Sequence, residues 1–211
     1  MNRHRWVVMQ GMNEFLHHFE LDPGSRALGA ALNERDHYTQ CHSRRVAGFS
    51  RLIGLACGLD RADLEVLELG AFFHDIGKIG IPDHILLKPE RFTVEDMEVM
   101  KDHATKGEGI VRELGLKAGD LIARVVRHHH EHFNGGGYPD GLQGEAIPIL
   151  SRIISVADSY DAMTKTRPYH EARPVAETLD IMSGEAGTKL DPYLVNKLQQ
   201  LVETWRGGGI D

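Results

Sequence analysis

Apolar residues recur every three or four positions along most of this chain, and that spacing is typical of one face of an amphipathic helix. One series runs from Val46 to Ile53 and another from Leu64 to Ala71. No stretch alternates apolar and polar residues as a half-buried strand does. The pattern therefore predicts an all-α fold, with helices from Asn33 to Gly58, about Arg61 to near Gly77, Thr93 to Leu114, Asp120 to residues 128–130, Pro148 to Met163, Pro174 to Met182 and Asp191 to Trp205.

Prolines and glycines mark where the helical pattern stops. Leu21 to Gly24 reads LDPG, which is a turn signal. Ile81 to Phe92 contains two prolines and no clean period, which predicts a loop packed by Ile85 and Leu86. These breaks divide the chain into a lead-in helix or linker over residues 1–32, a domain over 33–206 and a tail over 207–211.

Composition describes an ordinary soluble protein of 211 residues, 41% hydrophobic and 26% charged. Its net charge of -7 argues against a binder of nucleic acid polymers, which usually carry a basic patch. No apolar run is long enough to span a bilayer, and no signal-like core follows the charged start. Cys41 and Cys57 are too few for a disulfide framework. We therefore expect a cytoplasmic protein without a membrane segment.

Thirteen histidines are the abnormal feature, and several fall on the predicted inner faces of helices. His74 and Asp75 end one apolar run, with Lys78 one turn later. An isolated His-Asp pair is more often a buried, hydrogen-bonded histidine than a metal site. Several imidazoles directed into one core are costly unless something satisfies them, and metal ions do so. The other candidate ligands are His42, His103, the pair His129 and His130, and Asp158.

The HDIGK motif followed by HHEHFNGGGYP resembles the HD-GYP family, a subgroup of the HD phosphohydrolases. The resemblance covers about Asn33 to Trp205 and includes HSRRV from His42, KDH from Lys101, RIISVADSYDAM from Arg152 and RPY from Arg167. It implies a bundle of about seven helices, two iron or manganese ions, and hydrolysis of cyclic di-GMP to linear pGpG or GMP by a metal-activated hydroxide. An all-imidazole and carboxylate set also suits zinc or nickel.

The resemblance also implies roles for individual residues. Lys78 and Arg167 become contacts to the substrate phosphates, with Lys78 and Asp75 taking part in catalysis. Tyr138 belongs to the loop that faces the substrate, and His170 lies near the distal phosphate. The metal ligands divide into His42, His74 and Asp158 on one ion and His103, His129 and His130 on the other, with Asp75 bridging.

Three positions depart from the family pattern. Asn134 replaces the usual Asp of HHExxDGxGYP, which removes a charge beside the GYP loop. Tyr38 stands where members with a third metal carry Glu, so two ions are favoured. His170 replaces a basic residue sometimes found there, which predicts a weaker or pH-dependent grip on the distal phosphate.

Three functions remain open from the sequence. The leading hypothesis is a cyclic di-GMP phosphodiesterase. The second is a hydrolase of another, mixed cyclic dinucleotide. The third is a catalytically weak signalling module that binds a diguanylate cyclase (GGDEF) protein through its GYP loop. The role of Asp161 is also open: it either orients a ligand or water, or is a helix-face carboxylate bonded to Arg152 or the backbone.

Overall fold

The computed structural model describes residues 22–35, 39–166 and 171–207. No strand occurs within these ranges, where the only bridges are two isolated pairs, so the all-α prediction is confirmed there. Nine α-helices form in the described segments, against about seven implied by the resemblance. They are α1 Pro23–Arg35, α2 Thr39–Ala56, α3 Arg61–Phe73, α4 Asp83–Leu86, α5 Val94–Glu113, α6 Gly119–Arg127, α7 Ile149–Thr164, α8 Val175–Glu185 and α9 Pro192–Gly207.

Two described helices, α1 and α2, lie around residue 33, where the domain is predicted to start. The described residues of the predicted helix from Asn33 to Gly58 belong to α1, which is described to Arg35, and to α2, which is described from Thr39 to Ala56. Since α1 begins at Pro23, the predicted boundary at residue 33 falls inside it. Leu32 of α1 is buried in the core. The Arg35 guanidinium donates to the carbonyls of Ile79 and Ile81, which ties α1 to the segment after the His-Asp pair.

The predicted apolar series of α2 and α3 both lie in the core. Val46, Phe49 and Ile53 on α2 are buried, as is the series from Leu64 to Ala71 on α3. These two helices pack against each other, and both also contact α7. His42, which precedes the α2 series, and His74, which follows the α3 series, are therefore buried as well.

Helix ends agree less well with the sequence. Thr93 caps α5 as expected, in a capping box with Asp96. The cap of α6 is Ala118 rather than Asp120. Leu121 is 56% exposed, because the buried series on this short helix begins one residue later, at Ile122. The expected loop after Ile81 contains the single-turn helix α4, where Ile85 is buried.

Two further features bear on the site. Met97, an apolar residue in the first turns of α5, is 41% exposed. Across the described part of the chain, no helix combines the length and the apolar character needed to cross a bilayer. Tyr38, Arg167 and His170 lie outside the described residues.

Candidate metal centre

The His-Asp pair lies in a tight turn that follows α3. The helix ends at Phe73 rather than near Gly77, and a 3-10 turn covers Ile76–Gly80. His74 Nδ1 donates to the Ala71 carbonyl at 2.7 Å, which assigns the tautomer and leaves Nε2 as an acceptor. Burial raises the pKa of Asp75, but the Lys78 charge and His74 outweigh it and hold that pKa well below its usual value.

Three histidines, one on α5 and two in the turn after α6, form one possible ion site. Ligand atoms of His103, His129 and His130 lie within 4.8 Å of one another. His103 Nδ1 donates to the Met100 carbonyl at 2.7 Å, and His129 Nδ1 donates to the Val126 carbonyl at 2.6 Å. Both Nε2 atoms are therefore acceptors, yet they lie 3.3 Å apart. Two lone pairs at that distance repel unless a cation lies between them.

The protonation of this group also suits a metal. Burial lowers the pKa of His103 and His129, and it lowers that of His130 to about 3. Neutral imidazole is the form that binds a metal ion. The three side chains are thus in the ligand state near neutral pH.

A second group lies beside the first. Ligand atoms of His42, His74 and Asp75 fall within 4.8 Å of one another. His42 Nε2 is 3.1 Å from Asp158 Oδ1, so the fourth expected ligand adjoins this group. Burial lowers the pKa of His42, but hydrogen bonds to Asp158 and Asp161 raise it to about 9.

Asp75 belongs to the second group and lies beside the first. One carboxylate oxygen is 3.4 Å from His74 Nε2, and the other is 3.7 Å from His103 Nε2. A carboxylate can place its two oxygens on two ions. The Lys78 ammonium donates to Asp75 at 2.8 Å, at the edge of the same group. The donor set of imidazoles and carboxylates without a thiolate therefore fits two divalent transition-metal ions.

Behind His42 lies a carboxylate whose role the sequence left open. Asp161 Oδ2 is 2.7 Å from His42 Nδ1, and Arg45 donates to both oxygens of Asp161 at 2.7 and 2.9 Å. The alternative partner, Arg152, pairs with Asp191 instead. Sequence reasoning missed Arg45. The sequence did contain a signal for it. Arg45 lies three residues after His42, and Asp161 lies three residues after Asp158, so each pair shares one face of its helix.

The loop after α6 supplies one wall of the site. The Tyr138 ring lies 4.9 Å from the His130 ring, and the Lys101 ammonium is 5.7 Å from the Tyr138 centroid. The peptide bond from Tyr138 to Pro139 is cis. Buried Glu131 fastens this loop, because its two oxygens accept the backbone N–H groups of Asp140 and Leu142 at 2.7 and 3.0 Å.

A further set of charges fixes the outer side of this loop. Arg127 donates to both oxygens of Asp140 at 2.7 Å, and His128 Nε2 is 2.8 Å from the same carboxylate. His128, the first of three consecutive histidines, is thus directed to the loop, while His129 and His130 face the centre. Sequence reasoning missed His128, Glu131 and Asp140 as supports of the loop, although Glu131 lies within the HHEHFNGGGYP motif and the other two directly flank it.

Asn134 retains a turn despite replacing the usual Asp. Its exposed side-chain oxygen accepts the N–H of Gly136 at 2.9 Å, and its own N–H donates to the Thr188 carbonyl at 2.8 Å. An Asp oxygen can accept the same hydrogen bond. The departure therefore changes the charge of this loop and keeps its turn.

Comparison with known proteins points to one family. The profile described as HD domain matches residues 27–194. The cyclic di-GMP phosphodiesterase response regulator RpfG of Xanthomonas campestris pv. campestris is 37% identical over 171 residues, which are 81% of this chain and 45% of that protein. The 3′3′-cGAMP-specific phosphodiesterase 3 of Vibrio cholerae is 36% identical over 166 residues, covering 79% of this chain and 36% of that protein.

The fold has solved counterparts as well. A structure described as an HDG"Y"P protein from Bdellovibrio bacteriovorus aligns with a TM-score of 0.64 at 19% identity, covering 95% of this chain and 63% of that one. At this identity the likeness concerns the fold. The chain spans less than half the length of the curated relatives named above.

Proposed function

The chain belongs to the HD domain family, and we propose that it hydrolyses the phosphodiester bonds of a cyclic dinucleotide, with cyclic di-GMP as the preferred substrate and linear pGpG or GMP as product. The observation that carries this proposal is the pair of adjacent histidine groups that share the Asp75 carboxylate, with Lys78 beside them. Close relatives named as cyclic dinucleotide phosphodiesterases support it.

We propose His42, His74 and Asp158 as ligands of one ion, His103, His129 and His130 as ligands of the other, and Asp75 as the bridge. Two bound divalent ions would supply Lewis-acid activation of water and of the phosphoryl group. The backbone carbonyls that accept from Nδ1 of His74, His103 and His129 hold these rings with Nε2 directed inward. A donor set without thiolates suits iron, manganese, zinc and nickel, and we propose iron or manganese because the resemblance to the HD-GYP family implies them.

Lys78 is proposed to act on the substrate. Its ammonium reaches Asp75 from one turn further along the chain, so its positive charge lies at the edge of the centre. A phosphodiester bound there would have its non-bridging oxygens close to this positive charge. The attraction would strengthen as negative charge develops on those oxygens during attack on phosphorus, so Lys78 would stabilise the transition state. The expected contacts of Arg167 and His170 with the second phosphate are part of the same proposal.

Tyr138 is proposed to bound the substrate space on the side of the three-histidine group. Its ring lies against His130, and Glu131 holds the loop that carries it. Burial raises the pKa of the Tyr138 phenol, so the hydroxyl stays protonated and can donate a hydrogen bond to a phosphate or base.

A second substrate has specific support. The Vibrio cholerae relative is named for 3′3′-cGAMP, and its identity to this chain is similar to that of the relative named for cyclic di-GMP. The proposed metal ligands determine which bond is hydrolysed, but they do not select the nucleobase of the substrate. The mixed dinucleotide is therefore the second candidate. Neither relative is described as a binder of diguanylate cyclases, so that alternative has no comparable support. The two cysteines form no disulfide, which fits a cytoplasmic location.

Turnover of matched substrates tests the proposal. Protein loaded anaerobically with iron or manganese is incubated with cyclic di-GMP, 3′3′-cGAMP or cyclic di-AMP, and the products are separated by ion-pair chromatography. We expect hydrolysis of cyclic di-GMP fastest, and none by the Asp75→Asn variant. Faster hydrolysis of 3′3′-cGAMP would favour the second candidate. Loaded protein that hydrolyses no cyclic dinucleotide would overturn the proposal.

A further inference from the structure

The histidines of the centre differ in what holds the nitrogen that faces away from it. Backbone carbonyls accept from Nδ1 of His74, His103 and His129. His42 Nδ1 instead meets a carboxylate, Asp161 Oδ2, at 2.7 Å. A carboxylate behind an imidazole makes the ring a stronger electron donor to a metal ion than a neutral carbonyl does.

Asp161 is held in a position from which it cannot itself reach a metal ion. The side chain is 0% exposed. Arg45 donates to both of its oxygens, at 2.7 and 2.9 Å, in the bidentate geometry that fixes a carboxylate in orientation as well as in charge. Asp161 therefore cannot turn its oxygens toward an ion without breaking a buried ion pair, and it acts on the centre through His42.

The two groups also differ in charge. The group containing His42 has Asp158 at 3.1 Å and Asp75 as a member, so two carboxylates face it. The group of His103, His129 and His130 has three neutral imidazoles and only the far oxygen of Asp75, 3.7 Å from His103 Nε2. Carboxylate oxygens suit divalent manganese, whereas imidazoles suit zinc, copper, iron and nickel, so the group with two carboxylates is the better manganese site.

We propose that Asp161, held by Arg45, is a positioning residue that makes the ion site of His42, His74, Asp158 and Asp75 the tighter of the two and the first to be filled. This inference rests on the metal centre of the proposed function and adds an order of loading to it. The three-histidine site then fills second and exchanges its ion more readily.

Manganese binding measures this order directly. Metal-free protein is titrated anaerobically with Mn²⁺ in competition with a chromophoric chelator, and free Mn²⁺ is followed by electron paramagnetic resonance. We expect two separate steps for the wild type. Asp161→Asn, which keeps the shape and removes the charge, should weaken the first step by about 10- to 100-fold and bring the two steps together.

A second pair of proteins identifies which site fills first. His103→Ala disables the three-histidine site. This variant should therefore bind a single ion, at the other site, with the affinity of the first wild-type step. Adding Asp161→Asn to His103→Ala should then lower that affinity by the same factor. Arg45→Lys, which keeps the charge and loses the bidentate geometry, should produce a smaller loss and serves if Asp161→Asn does not fold.

Asp191→Asn is the matched control. It breaks a buried ion pair with Arg152, and neither residue is a proposed ligand or a neighbour of His42 in the Asp161 pairing, so it should lower stability and leave both manganese steps unchanged. Equal affinities in the wild type, or an Asp161→Asn variant that weakens only the second step or neither, would overturn this inference while leaving the proposed function intact. A wild type that binds no metal would overturn the proposed function itself.

Discussion

Gly77→Ala, which adds one methyl group to the His-Asp turn, should displace Asp75 from the three-histidine group. A Cβ built on Gly77 would lie 1.9 Å from the His103 carbonyl oxygen and 2.5 Å from the Gly107 nitrogen. Both contacts are with the backbone of α5, so no flexible side chain can move aside. Because non-bonded carbon contacts are optimal at about 3.5–4.0 Å, Gly77→Ala must separate the His-Asp turn from α5 by more than about 1 Å.

That separation should cost both stability and activity. Asp75 lies in the displaced turn and His103 lies on α5, so the shared carboxylate would move away from the three-histidine group. Overpacking of this kind costs about 1–3 kcal/mol, which for a domain of this size lowers the melting temperature by roughly 2–4 °C per kcal/mol. A misplacement of about 1 Å in a catalytic site lowers turnover by about 100-fold.

The control for Gly77→Ala lies on the helix that it would strike. A Cβ on Gly109 would have no atom within 4 Å, and alanine is favoured over glycine inside a helix by roughly 1 kcal/mol. Gly109→Ala should therefore keep its metal and turnover and melt slightly higher than the wild type. Calorimetry, metal analysis and turnover are measured on both variants. A Gly77→Ala protein with wild-type metal content and turnover would refute the reasoning.

Three other predictions follow from single residues. Lys78→Ala should retain its metal and lose roughly two to three powers of ten in turnover, because it removes one charge that stabilises the transition state; unchanged turnover would place the lysine elsewhere. Asn134→Asp should leave the melting temperature unchanged and turnover within about twofold of the wild type, since the turn oxygen remains. Hydrogen bonds from Arg127 hold the pKa of Asp140 below its usual value, so the stability that this carboxylate contributes is present above about pH 4 and lost as pH falls further. The difference in unfolding free energy between wild type and Asp140→Asn, measured by denaturant titration, should accordingly shrink from pH 5 to pH 3.

The sequence predicted what depends on local periodicity. His42 and His74 were placed on apolar series whose members are buried, because an imidazole in register with a core face must enter the core. The all-α fold followed from the same pattern, and the resemblance to the HD-GYP family is confirmed by the family match and by the relatives.

What the sequence could not predict depends on contacts between distant segments. Arg45 and Asp161 are 116 residues apart in the chain, and their hydrogen bonds form only because the fold brings α2 and α7 together. Helix ends were also uncertain, since the cap of α6 is an alanine at φ 60°, which residue preference does not indicate. The apolar spacing that leads to His129 includes both Leu121 and Val125, yet in the nine-residue helix α6 Val125 is buried and Leu121 is exposed.

The central claim is a centre of two ions that share Asp75, and the metal content of matched variants tests it most directly. Wild type, Asp75→Ala and His42→Ala are loaded anaerobically with iron or manganese, freed of excess metal and analysed by plasma mass spectrometry. We expect close to two ions per chain in the wild type, nearly none in Asp75→Ala, and about one in His42→Ala. A wild type that retains no metal, or an Asp75→Ala variant that retains two ions, would contradict the account.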